Sequence, residues 1–237
     1  MSIGYRDKLS SGRRAMAHLI HVWHERNSWS HKVLPLLSEI LDLGRVHNSQ
    51  ISNLRNGKLS SPGPEVFLAL AQVNKILDQG VDSIRDQLEP TYPELWRILE
   101  ESSSPLKNDS GQPLSAGELF EIFSGLKALP SSFDWFIEDD EAAKLSEALS
   151  DHFCQNLPWR YCKDNIMSAY GVTKPLRRER LAEVLAGLKD YTAEELDGEL
   201  LDLYETSCKL SFFVSGGPNE FLKELRNIVF MKNKQKS

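Results

Sequence analysis

Three cysteines, Cys154, Cys162 and Cys208, are all the thiols this chain has, and none forms a CxxC pair. An odd count without a spacing pattern argues against a disulfide framework or a zinc ribbon and for a reducing compartment. The first eight residues hold no apolar core of signal-peptide length. No apolar run approaches the length of a membrane span. Strand-like alternation is weak throughout. There is no HExxH, no GxSxG, no P-loop and no dinucleotide fingerprint. Ser215-Gly216-Gly217 has no strand before it and no Lys-Ser/Thr pair after it. Together these absences predict a cytoplasmic chain that is not an enzyme, needs no cofactor and meets no membrane.

What the chain does have is ordinary for a soluble fold: 41% hydrophobic and 26% charged residues over 237 positions, enough for one large domain or two small ones. The net charge of -6 does not advertise nucleic-acid binding, but it is unevenly spread. Residues 1–79 carry ten Lys/Arg against six Asp/Glu, with five of the six histidines; residues 80–237 carry 18 against 28. A basic head on an acidic body suits a nucleic-acid-binding head with a regulatory or partner-binding body. Chance segregation of surface charge is the alternative.

Helical periodicity runs nearly end to end. Ala15, Leu19, Val22 and Trp23 mark a first helix over about 12–26, after a polar, basic 1–11 arm expected to be flexible. A second helix runs to about Leu43 with Pro35 either in its first turn or at a kink. A fourth spans about 64–77, and a fifth segment, 81–88, closes a small core. The Ser/Pro/Gly-rich stretch 101–114 predicts a linker. Beyond it, Ser115 with Glu118 and Thr192 with Glu195 read as capping boxes. Further helices are expected over 115–231, including 142–157 and a long one past Thr192, before a basic, frayed 232–237 tail. The expected architecture is all-α: an N-terminal five-helix domain over 12–100 and a C-terminal helical domain over 115–231.

Within the first domain, Val46, Ile51 and Leu54 fall on one face of a short helix that Gly57 closes. The other face carries Asn48, Ser49, Gln50, Ser52, Asn53 and Arg55, with no acid. Amides pair bidentately with adenine edges and Arg with guanine. The run Ile51-Ser52-Asn53-Leu54-Arg55-Asn56-Gly57-Lys58, the polar loop Ser60-Ser61-Pro62-Gly63-Pro64 after it and the amphipathic helix from Glu65 onward resemble the phage-repressor-like (Cro/C1, or XRE) helix-turn-helix family. The resemblance covers about residues 12–88.

That resemblance implies a sequence-specific transcriptional regulator. Its recognition helix would enter the major groove of double-stranded DNA, with Asn48, Ser49, Gln50 and Asn53 on base edges. Ser52, Arg55, Asn56 and Lys58 would contact phosphate. Two-fold operators imply a homodimer, for which the C-terminal helices are the candidate body. The alternative is an adaptor that keeps the repressor-like fold and binds proteins, through its acidic C-terminal domain, without touching DNA. Other candidates are weighed against plainer readings. His18, His21 and His24 have metal-compatible spacing but no completing acid or thiol on their face, and neutral, half-buried rings or rings near phosphate explain them as well. Glu138-Asp139-Asp140-Glu141 does not follow a calcium-loop order and reads as acids at a helix start. Arg177, Arg178 and Arg180 form a basic cluster that is either solvated, set against DNA phosphates or paired with acids of another subunit. No metal site is expected.

Overall fold

The computed structural model describes residues 4–155, 157–214 and 216–235. Among these, every regular element is helical: twelve α-helices and two 3-10 turns, with no strand. The fold is therefore all-α. Residues 1–3 of the expected arm, Asn156 in the expected 142–157 helix, Ser215 of the Ser215-Gly216-Gly217 run, and residues 236–237 of the expected tail lie outside the described residues. None of the described helices is long and apolar enough to cross a membrane. The chain divides into two compact units, Met1–Phe133 and Asp134–Ser237.

The first unit contains α1 (Tyr5–Asn27), α2 (Val33–Ile40), α3 (Asn48–Arg55), α4 (Pro64–Gln79), α5 (Arg85–Leu88), α6 (Pro93–Glu101) and α7 (Ala116–Ser124). Helix α1 lies at its centre. Met16, Leu19, Ile20 and Trp23 are buried along it, and it packs against both α3 and α7. The expected flexible arm is, from Tyr5 onward, the start of this helix, with Asp7 in the first turn where an acid suits the dipole. Pro35 falls in the first turn of α2, where its missing N–H costs nothing.

The expected linker is not a linker. Leu106 and Leu114 are buried, and two interior asparagines hold the backbone around them. Asn74 of α4 donates from Nδ2 to Leu106 O (2.8 Å) and Leu114 O (3.3 Å), and its Oδ1 accepts from Leu106 N (2.6 Å). Asn27, the last residue of α1, donates to Ser104 O (3.1 Å) and accepts from Ser104 N (2.6 Å). Trp23 Nε1 donates to Ser104 O as well (3.0 Å). These side chains satisfy the backbone groups that a neighbouring strand would otherwise have to meet. Polar composition there reflects an interior segment with borrowed partners, not a solvated tether.

Helix α7 consequently belongs to the first unit, and the boundary falls after Phe133 rather than within 101–114. Its approach to α1 is very close. A Cβ on Gly12 would lie 2.5 Å from Phe123 O, and one on Gly125 would overlap Lys8 O. Gly125 also takes φ 72 to close α7, which an L side chain resists.

The second unit contains α8 (Ala142–Cys154), α9 (Trp159–Ala169), α10 (Pro175–Leu185), α11 (Ala193–Lys209) and α12 (Pro218–Gln235). Helix α8 packs against the other four, burying Leu145, Leu149 and Phe153 with Leu181, Leu200, Phe221 and Leu225. Both capping boxes are present, with Glu118 N on Ser115 Oγ (3.3 Å) in the first unit and Glu195 N on Thr192 Oγ1 (3.1 Å) here. Helix α11 stops at Lys209, and Ser211 just beyond turns left-handed (φ 61). The expected frayed tail is helical through Gln235, and Lys232 donates to Glu147 (2.9 Å).

The basic cluster is spoken for inside this unit. Arg177 is buried and bonds both carboxylate oxygens of Glu199 (2.6 and 2.7 Å) and Asp202 (2.7 Å). Arg178 caps α9 by donating to Met167 O (2.7 Å) and Val172 O (2.8 Å). Arg180 pairs with Glu195 (3.3 Å). None of the three is a solvated or phosphate-facing cation. In the acidic run, Glu141 accepts Arg226 Nε at 3.0 Å.

Candidate nucleic-acid interface

The segment at the centre of the sequence argument is α3. Helix α2 ends at Ile40, short of the expected Leu43, because Asp42 and Gly44 both take positive φ (50 and 120). The connection 41–47 is thus longer than the three or four residues of a tight helix-turn-helix turn. Helix α3 opens at His47, whose backbone N–H donates to Gln50 Oε1 (2.9 Å), one half of a capping box. It closes at Gly57 (φ 65), with Gly57 N on Leu54 O (3.1 Å) and Lys58 N on Asn53 O (2.8 Å). This double closure is the glycine-ended motif that satisfies orphan carbonyls.

One side of α3 holds it in place. Ile51 and Leu54 are buried, as is Val46 just ahead of the helix. Arg55 donates from Nε to His21 Nδ1 (2.9 Å) and from its terminal nitrogen to Glu25 Oε1 (3.2 Å), both on α1. Because an arginine only donates, His21 Nδ1 must accept, so this ring is neutral. The other side presents Asn48, Ser49, Asn53 and Asn56 exposed, with Ser52 half-buried among them. The Asn56 amide donates back to Ser52 O (2.8 Å). Lys58, Arg45, His47 and Arg14 are exposed near the ends of α3 and on α1.

The eight residues singled out from sequence therefore separate by role. Asn48, Ser49, Asn53, Asn56 and Lys58 are accessible, and Ser52 is half-buried beside them. Gln50 is half-buried and spends its carbonyl oxygen on the helix start. Arg55 ties α3 to α1 rather than reaching outward. Its partners His21 and Glu25 were missed from sequence; their spacing of four on α1 marks one face, but nothing in it names a partner 34 and 30 residues away.

The flanking histidines face inward. His18 Nε2 donates to Phe133 O (3.1 Å) and His24 Nδ1 to Ile20 O (2.7 Å). Burial pushes both rings down to about 4, with the nearby His21 a secondary cause for His18. They are neutral interior rings and offer no positive charge to a phosphate.

A family model described as a domain of unknown function, DUF8644, matches residues 6–125, half of the chain. The chain belongs to that family. The DUF8644 region begins in the first turns of α1 and ends at Gly125, so its limits take in both partners of the close α1–α7 approach and the whole of α3. A second model, also described as a domain of unknown function, DUF8645, matches 142–236, from the start of α8 onward. No curated protein and no solved structure matches the chain. Counted over its whole unit, residues 1–133, the part that includes the DUF8644 region holds 14 Lys/Arg against 15 Asp/Glu. The positive excess of residues 1–79 is offset by the acids of α5, α6 and α7, which are part of the same body.

Proposed function

We propose that this protein is a sequence-specific DNA-binding regulator in which α3 lies in the major groove. The observation that carries the reading is the outer side of α3. It is exposed, polar and free of acids, while the inner side is fixed to α1 by Ile51, Leu54 and Arg55. A rigid helix with short amide and hydroxyl side chains can approach base edges closely. Asn48, Ser49 and Asn53 read bases. Ser52, Asn56 and Lys58 meet the backbone. Gln50 and Arg55 act as positioning residues that set the angle of the helix. Two chains joined through α8–α12 serve a two-fold operator.

The test is enrichment of duplexes from a random pool by the full chain at low salt, followed by salt titration of the selected site. Affinity should fall steeply with salt. Asn53→Ala should relax preference at a base position worth about 1–3 kcal/mol of discrimination, whereas Lys58→Ala should weaken all sequences alike. No enrichment, with no binding to bulk DNA at low salt, overturns the proposal. A second reading, a protein-binding adaptor on the same fold, is favoured by the charge of the first unit, whose near balance supplies little long-range attraction to a polyanion. The same experiment separates the two.

A further inference from the structure

Between the starts of α2 and α6, both in the first unit, lies a cleft of about 520 Å³. Its walls are Val33 and Leu36 from α2, and Leu95 and Ile98 from α6. Val33 and Leu95 are buried; Leu36 and Ile98 are half-buried and leave part of their surface to the cleft. The rim is polar, with Ser30 and Lys32 on the α2 side and Thr91 and Glu94 on the α6 side, all exposed. Backbone bonds fix both sides. Leu88 O accepts from Thr91 N (3.2 Å) and Tyr92 N (2.7 Å) in the turn into α6, and Ser30 O accepts from Val33 N (3.1 Å) ahead of α2. A preformed cleft of this size, with apolar walls and a few polar groups, has the build of a small-molecule site.

Two charges on the rim decide what fits. Other charges near α6 pair with each other, Arg85 with Glu89 (2.8 Å) and Arg97 with Glu101 (4.0 Å). Lys32 and Glu94 form no ion pair among the described residues. A fatty acid would suit Lys32 and the apolar walls but would meet Glu94 as a like charge. An apolar amine would suit Glu94 and meet Lys32 in the same way. A ligand with an anion at one end, a cation at the other and an apolar body satisfies both rims.

We propose that the α2–α6 cleft binds an apolar dipeptide in its zwitterionic form, with the carboxylate at Lys32 and the ammonium at Glu94. Size selects a dipeptide over a free amino acid. The cleft has room for roughly seventeen waters at about 30 Å³ each, and leucyl-leucine has about that many non-hydrogen atoms, against about half for leucine. The ends of a dipeptide lie up to about 7 Å apart. Each end can therefore reach its own rim while the two side chains lie on Val33, Leu36, Leu95 and Ile98. The helices set the direction. Lys32 precedes α2, whose first turn holds no acid, so the carboxylate belongs there; Glu94 stands in the first turn of α6. The Thr91 hydroxyl, on the same rim as Glu94, is suited to the peptide group. Ion pairs at an exposed rim contribute little each. The walls therefore supply most of the affinity, and the charges supply the choice of ligand.

The experiment titrates leucyl-leucine into the nitrogen-15-labelled full chain and follows backbone amide shifts by NMR. Saturable shifts should centre on Val33, Leu36, Leu95 and Ile98, with a dissociation constant on the order of 0.1–1 mM. N-acetyl-leucyl-leucine lacks the cation and leucyl-leucine amide lacks the anion; each should bind about two- to fivefold more weakly. Glycyl-glycine, with both charges and no side chains, should not saturate. Lys32→Gln should weaken leucyl-leucine by a similar factor and leave the amide unchanged. Glu94→Gln should weaken leucyl-leucine and leave the N-acetyl compound unchanged. Both positions are exposed, and circular dichroism confirms that each variant is folded. No saturable shift in the millimolar range, shifts confined to residues 134–237, octanoate binding more tightly than leucyl-leucine, or variants that weaken all three peptides alike would each overturn the proposal. None of these readouts depends on DNA binding by α3.

Discussion

A proton on His24 has nowhere favourable to go. The ring is fully buried, its Nδ1 is committed to Ile20 O, and its Nε2 has no hydrogen-bond partner among the described residues. Its folded value of about 4 lies below the unfolded 6.5, so the unfolded chain binds more protons between those limits. Stability is then fully present above about pH 6.5 and is lost as pH falls toward 4, by up to about 3 kcal/mol for one such ring. Urea midpoints at pH 7 and pH 4.5 should show this loss, and His24→Gln should reduce it, leaving the share of His18. Asn74 is the other residue whose chemistry is fixed by its surroundings. Asn74→Ala leaves the Leu106 N–H unpaired in the interior, while the Leu106 C=O keeps the Leu114 N–H (2.9 Å), so it should cost about 1–3 kcal/mol in urea unfolding. A loss under about 1 kcal/mol would mean that water replaces the amide.

Among the elements, the approach of α1 to α7 is the least forgiving. Gly125→Ala combines a left-handed φ with overlap on Lys8 O, and should cost at least about 2 kcal/mol, well beyond an ordinary surface change. Differential scanning calorimetry would show it as a drop in melting temperature. Helices α3, α4 and α8 were legible in the sequence because each pairs an apolar stripe with a local start or stop, such as Pro64 and Gly80 around α4. Segment 101–114 was not, because its partners Asn27 and Asn74 lie 77 and 32 residues away in sequence. A polar residue that faces inward is indistinguishable from a solvated one until the fold supplies its partner. The site shows the same division. The exposed amides of α3 were legible from helical periodicity, while the inward turn of Arg55 depends on α1.

For the whole molecule, the two units and the two family matches agree on a division between α7 and α8. A fragment of residues 1–133 should therefore unfold in one cooperative transition with native helical circular dichroism. A fragment ending at residue 100 should not, since it lacks α7 and the buried Leu106 and Leu114. The sequence's charge asymmetry led to a different picture of the head because it was counted up to residue 79. Once the acids of α5, α6 and α7 join the same body, any attraction to DNA has to come from the local surroundings of α3 and not from the unit's net charge.

The meeting of Gly12 with the end of α7 also sets a timetable for synthesis. Helix α1 leaves the ribosome well ahead of α7, and its Gly12 waits for Gly125 before the two can meet. Contacts so distant in the chain slow folding and leave apolar surface open in the nascent state. Translation that stalls between α6 and α7 would release a product suited to chaperone capture rather than a small finished head.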